Sequence, residues 1–119
     1  MQATNPNAFS FTRQDKNEAA IFHLSGHPGL EGAAQLRKAF WECIHDSGKR
    51  LLVLDLFEVP ALGPSVISLF ISTKNVVTRH RGRLVLVGVN EKGMALLEET
   101  HLDDYFHIAD SLDAATADL

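Results

Sequence analysis

One hydroxyl stands where the sequence passes from a buried strand into a buried helix: Ser65, in LFEVPALGPSVISLF (residues 56–70). Free N–H groups at a helix start attract anions, so a serine in such a place can carry a phosphate that the helix dipole favours. Its neighbours argue for structure first. Pro64 suits the first helical turn, where its missing N–H costs nothing, and Gly63 can serve as the N-cap. Ser65 therefore reads better as an early-helix serine that bonds local backbone or faces solvent.

The other residues with chemical potential are scattered. Six histidines invite a metal, but His23 and His27 fall in a strand and the turn after it, so helical i,i+4 ligation does not apply. His101 and His107 flank a strand start, and His45 and His80 stand alone, which is the pattern of surface histidines. Cys43 lies on a core-facing helical stripe and is expected to be buried and inert. No G-x-S-x-G elbow, Gly-rich phosphate loop or paired-carboxylate motif is present. Asp55 ends the central strand, a position that can hold a catalytic acid in α/β folds, while Asp103 and Asp104 cap or turn the chain. Catalytic residues, a metal and a cofactor are thus not expected.

The elements that would position these residues follow from periodicity. AFSFTRQ (8–14) alternates as an edge strand, DKNE (15–18) has the composition of a hairpin turn, and AAIFHLSG (19–26) reads as a second strand. In residues 30–49 Ala33, Leu36, Phe40, Cys43, Ile44 and Ser47 share one helical face, and Gly48 is placed to end the helix. RLLVLDLF (50–57) and GRLVLVGVN (82–90) are apolar runs of strands covered on both faces, so Leu52, Val53, Leu54, Leu84, Val85 and Leu86 are expected to be buried.

A helix is expected from Pro64 to His80, with Val66, Leu69, Phe70, Thr73, Val76 and Val77 toward the sheet. Ile67 and Ile71 fall on another flank, either as a docking patch or packed on the first helix. Trp41 lies off the apolar face of the first helix, an interface anchor or a side chain partly covered by its neighbours. Asn90 can cap a helix to about Glu99, YFHIAD (105–110) makes a last strand, and Ser111 caps a terminal helix over 111–119. The order β-β-α-β-α-β-α-β-α predicts a mixed sheet flanked by helices.

Composition narrows the function classes. With 119 residues, 45% hydrophobic and 22% charged, the chain has the composition of one soluble domain. A net charge of −4 argues against a broad grip on nucleic acid. The single cysteine excludes an intrachain disulfide and suits a reducing compartment. No apolar run approaches the length of a membrane span, and the first residues lack a signal-peptide pattern. A cytoplasmic location is expected, with residues 1–7 a polar tail and 8–119 the domain.

IFHLSG (21–26), LLVLDLFEVPAL (51–62) and the stretch from Gly82 to Ala115 resemble, in order and spacing, the STAS family, small domains that include bacterial anti-sigma-factor antagonists. The resemblance implies one α/β domain with a mixed, mostly parallel sheet, about four flanking helices and an opening hairpin. It also implies an interaction module that binds an anti-sigma factor or kinase-like regulator, without nucleic acid, cofactor or direct membrane insertion; a homodimer stays open. In such antagonists a motif of the form D-S-S/T-G starts the second helix, and its hydroxyl is phosphorylated to end binding, since a phosphate adds nearly two negative charges to a docking surface.

Here that motif falls on Gly63, Pro64, Ser65 and Val66. Pro64 occupies the acceptor position, and Gly29 stands where many relatives have an acidic residue in the earlier loop. Partner contacts are expected at Pro60, Leu62, Ser65, Ile67, Ile71, Trp41 and His27. A stand-alone subunit of a membrane lipid transporter, or a small-ligand sensor, are the alternatives that the same resemblance allows.

Overall fold

The computed structural model describes residues 9–117; the expected tail at 1–7 and the last two residues of the expected terminal helix lie outside them. The elements are β1 (Ser10–Lys16), β2 (Ala19–Ser25), α1 (Gly29–Glu42), β3 (Leu51–Glu58), α2 (Pro64–Arg79), β4 (Arg83–Val87), α3 (Glu91–Glu99), β5 (His107–Ala109) and α4 (Leu112–Thr116). The strands form one sheet in the order β1-β2-β3-β4-β5, with β1 antiparallel to β2 and the rest parallel. This is the expected mixed sheet with an opening hairpin.

Strand alternation sorts the core into two layers. Phe22, Leu52, Leu54, Leu84 and Leu86 point to one face, where Leu36 and Phe40 of α1, Val66, Phe70 and Val77 of α2, and Leu97 of α3 pack on them. Ile21, Leu51, Val53, Val85 and Val87 point to the other face, which the short α4 covers through Ala115 and Leu112. Both faces of β3 and β4 are therefore buried, which is why these strands read as unbroken apolar runs. The six strand residues named in advance are all buried.

Three boundaries differ from the expected ones. Lys16 pairs with Ala19, so Asp15 and Lys16 belong to β1 and the turn is only Asn17-Glu18, with Asn17 at φ 53°; asparagine tolerates that left-handed conformation better than most side chains. Residues Cys43–Ser47 form a π-helical turn, not a continuation of α1. The wider turn keeps Cys43 and Ile44 in the core but swings Ser47 to the surface, where its Oγ accepts from Arg13 at 3.0 Å. The strands β4 and β5 are shorter than expected, because Asn90 caps α3 and only His107–Ala109 reach the ladder. Among the described residues no helix is long and apolar enough to cross a membrane.

Candidate functional site

The exit of β3 is tied down before α2 begins. Asp55 Oδ1 accepts from the backbone N–H of Phe57 at 3.1 Å, and Val59 N–H donates to the Leu56 carbonyl at 3.0 Å. Asn90 donates from its side-chain amide to the Pro60 carbonyl at 2.9 Å while its Oδ1 caps Gly93 N–H at 2.8 Å. One asparagine thus locks the loop to the start of α3. Gly63 is the extended N-cap residue (φ −95°, ψ 168°), with no side chain to accept a hydrogen bond, and Pro64 holds the first helical position. Ser65 comes next, half-buried, and among the described residues its hydroxyl has no hydrogen-bond partner.

Across from this junction runs the loop from β2 to α1. Gly29 adopts φ +60°, a conformation that an acidic side chain at this position would strain. Leu30 follows it, 80% exposed despite being aliphatic. Residues 27–30 and 61–66 enclose a depression of about 360 Å³. It opens into a groove of about 610 Å³ between α1 and α2, lined by Leu30, Ala33, Ala34, Arg37, Lys38, Trp41, Ser65, Ser68, Leu69 and Ser72. Leu30 and Ser65 border both spaces. Among the described residues no carboxylate lines the groove.

The structure brings some of the expected contact residues together and separates others. His27, Leu62, Gly63, Pro64, Ser65 and Val66 line the depression, and Trp41 lines the groove with Ser65. Pro60 borders neither and is held by Asn90. Ile67 and Ile71 are half-buried against the central core cluster, while the α2 residues lining the groove toward α1 are Ser65, Ser68, Leu69 and Ser72.

Trp41 stacks on His45 at 5.3 Å between ring centroids, and His45 meets His80 edge-on at 5.0 Å. His45 and His80, distant in sequence and expected to stand alone, are neighbours because the end of α1 lies beside the end of α2.

The opposite face of the sheet carries a second polar cluster. His23 Nδ1 lies 2.6 Å from Asp55 Oδ2, and its Nε2 lies 3.1 Å from the Gln14 amide oxygen. The hydroxyls of Ser10 and Ser25 bond at 3.0 Å. Ser10, His23, Ser25 and Asp55, with Glu58 and the exposed Phe57, border a depression of about 350 Å³. A histidine held by a carboxylate can serve as a general base, but here both ring nitrogens are engaged and neither serine is bonded to one. Among the described residues no group of three or more His, Cys, Asp or Glu side chains could hold a metal. Cys43 is fully buried, and burial pushes its thiol up, which disfavours the reactive thiolate.

Leu30, Arg37, Lys38, Ser68 and Ser72 were not among the expected contact residues. The signal was present, since residues 65, 68 and 72 share one helical face of small hydroxyls beside the apolar face.

The sequence matches the family described as STAS domain over residues 10–115. No curated protein matches it by sequence. Among solved structures the chain is similar to an anti-sigma factor antagonist from Mycobacterium paratuberculosis, with a TM-score of 0.83, 22% identity, and 98% of this chain and 97% of that one covered. It is also similar to an anti-sigma-factor antagonist (STAS) domain protein from Planctomyces limnophilus (TM-score 0.75, 17% identity, 90% and 96% covered). A third similar structure is the Bacillus cell fate determinant SpoIIAA in its phosphorylated form (TM-score 0.74, 14% identity, 94% and 100% covered).

Proposed function

The chain belongs to the STAS domain family, and on that premise we propose that it is a regulatory interaction module of the anti-sigma-factor-antagonist type. It binds an anti-sigma factor or kinase-like regulator in transcriptional or stress signalling, through the β3–α2 junction and the start of α1, without the usual serine phospho-switch.

The observation that carries this reading is the junction itself. An exposed leucine, Leu30, shares a depression with a helix start whose hydroxyl, Ser65, has no hydrogen-bond partner among the described residues. Exposed aliphatic surface beside free polar groups is what a protein partner can cover with gain. The second half of the reading rests on Pro64. Proline has no hydroxyl, and a shift of one residue along a helix turns the side chain by about 100°. Phosphoryl transfer needs its acceptor oxygen in line with the leaving group, so Ser65 does not stand in for the missing group.

The test has two arms. The protein is incubated with the cognate anti-sigma kinase and ATP and weighed intact, with Ser65→Ala as control. No added phosphate, together with retained binding of the kinase, is expected; one phosphate that disappears in Ser65→Ala overturns the switch-free reading. In the second arm Leu30→Asp weakens kinase binding at least tenfold, about 1.4 kcal/mol. Unchanged binding in that variant contradicts the assignment of the surface.

A further inference from the structure

We infer that the groove between α1 and α2 is a receptor for an acidic amphipathic helix presented by a protein partner. This rests on the interaction-module reading above and names the chemistry of what the module holds.

Charge comes first. The whole chain has 15 acidic and 11 basic side chains, yet the groove presents Arg37 and Lys38 with no carboxylate on its walls. Among the described residues neither cation has an ion-pair partner, unlike Arg13, which is bound to Asp15 at 2.8 Å. In a chain of net charge −4, a cationic groove without internal counter-ions is a local reversal of sign. It attracts an acidic segment and repels a basic one.

Shape selects a helix among acidic segments. Its lining includes the small side chains of Ala33, Ala34, Ser65, Ser68 and Ser72 beside the buried Leu69. Such small side chains let a third helix axis approach to the close end of the usual 8–10 Å range. From Leu30 to Trp41 the groove runs along α1 for roughly 16 Å, about three helical turns. Its walls are helices, whose backbone groups are already bonded, so an extended peptide would find no ladder partners there. A helix brings its backbone bonds with it. Leu30 and the exposed part of Trp41 then meet its apolar stripe, and the serine hydroxyls and the two cations meet its polar flank.

The same features disfavour a second copy. A two-fold interface through the groove would bring two cationic grooves together, which costs energy by like-charge repulsion.

Trp41 is the only tryptophan in the chain and lines the groove, so its emission reports occupancy directly. The probe is a synthetic helical peptide about four turns long, with leucines at i, i+3 and i+7, glutamates on the flanks and no tryptophan. The control carries lysines in place of the glutamates. A saturable change in Trp41 emission is expected with the acidic peptide. Its affinity falls at least tenfold in the Arg37→Glu, Lys38→Glu double variant, which in turn binds the lysine peptide.

The melting temperature and circular dichroism of the variant stay those of the parent protein. Equal response to the two peptides, or no saturable response to the acidic one, overturns the inference. So does saturation by ATP or by phosphatidylglycerol vesicles in place of the peptide, or an emission change that follows protein concentration alone. The double variant is also tested against the kinase. Binding that survives the double variant but fails in Leu30→Asp overturns the groove's role alone, whereas binding indifferent to both overturns the interaction surface as a whole.

Discussion

Two depressions of almost equal size lie on opposite faces of the sheet near the exit of β3, about 360 Å³ on the helix side and about 350 Å³ on the back. The back one is the more polar to the eye, with His23, Asp55, Glu58, Thr12 and two serines on its walls. There His23 is bonded to Asp55 and Ser10 to Ser25, while Glu58 and the exposed Phe57 ring stand at its edge. On the helix side Ser65, Arg37 and Lys38 have no partners within the described chain, and Leu30 stands in water. A paired polar group gains little from a visitor, because binding only exchanges one good bond for another. An unpaired cation beside exposed aliphatic surface gains both charge and burial. The difference teaches that the back face holds polar groups bonded to one another beside a carboxylate, whereas the helix side offers cations beside an aliphatic rim, the combination that suits an acidic partner.

The comparison breaks if the back cluster is not structural. Asp55 holds both His23 and the Phe57 N–H, so Asp55→Ala should lower stability by about 1–3 kcal/mol. Chemical denaturation measures this, and partner binding should stay within twofold of the parent. A variant as stable as the parent that loses its partner would exchange the roles of the two faces.

Gly88 sharpens the same point. It sits at φ +78°, and a Cβ there would lie 2.6 Å from Cγ of Phe57. Gly88→Ala should cost about 1–2 kcal/mol in backbone strain and swing the Phe57 ring off the sheet. The thermal midpoint reads the cost, and binding on the helix side should not change.

The smallest stability effect belongs to the proposed site. Leu30→Ser removes a side chain that is 80% exposed, so stability should move by less than about 0.5 kcal/mol while kinase affinity drops. A loss of stability above that size would mean that Leu30 is part of the core of the folded chain.

The sequence spoke most clearly where one element decides its own geometry. Unbroken apolar runs at 51–54 and 84–87 announced doubly covered strands, and Asn90 and Ser111 announced their helices because a cap acts within three residues. Pro64 behind Gly63 likewise marked the start of α2. What stayed hidden depends on two elements meeting. His45 and His80 are 35 positions apart, and Gln14, His23 and Asp55 come from three strands whose register no local pattern specifies. The groove was hidden for the same reason, since Arg37 and Lys38 look like ordinary solvated charges until Ser65, Ser68 and Ser72 are seen opposite them. The π-helical turn at Cys43–Ser47 left no composition cue that the residues offered.

The most direct test of the division between the two faces is hydrogen exchange of the protein with and without the bound kinase. The account predicts slowed exchange in residues 27–38 and 61–72, with residues 10–15 and 21–25 unchanged. Protection confined to β1 and β2 around His23, with the α1–α2 face exchanging as in the free protein, would contradict it.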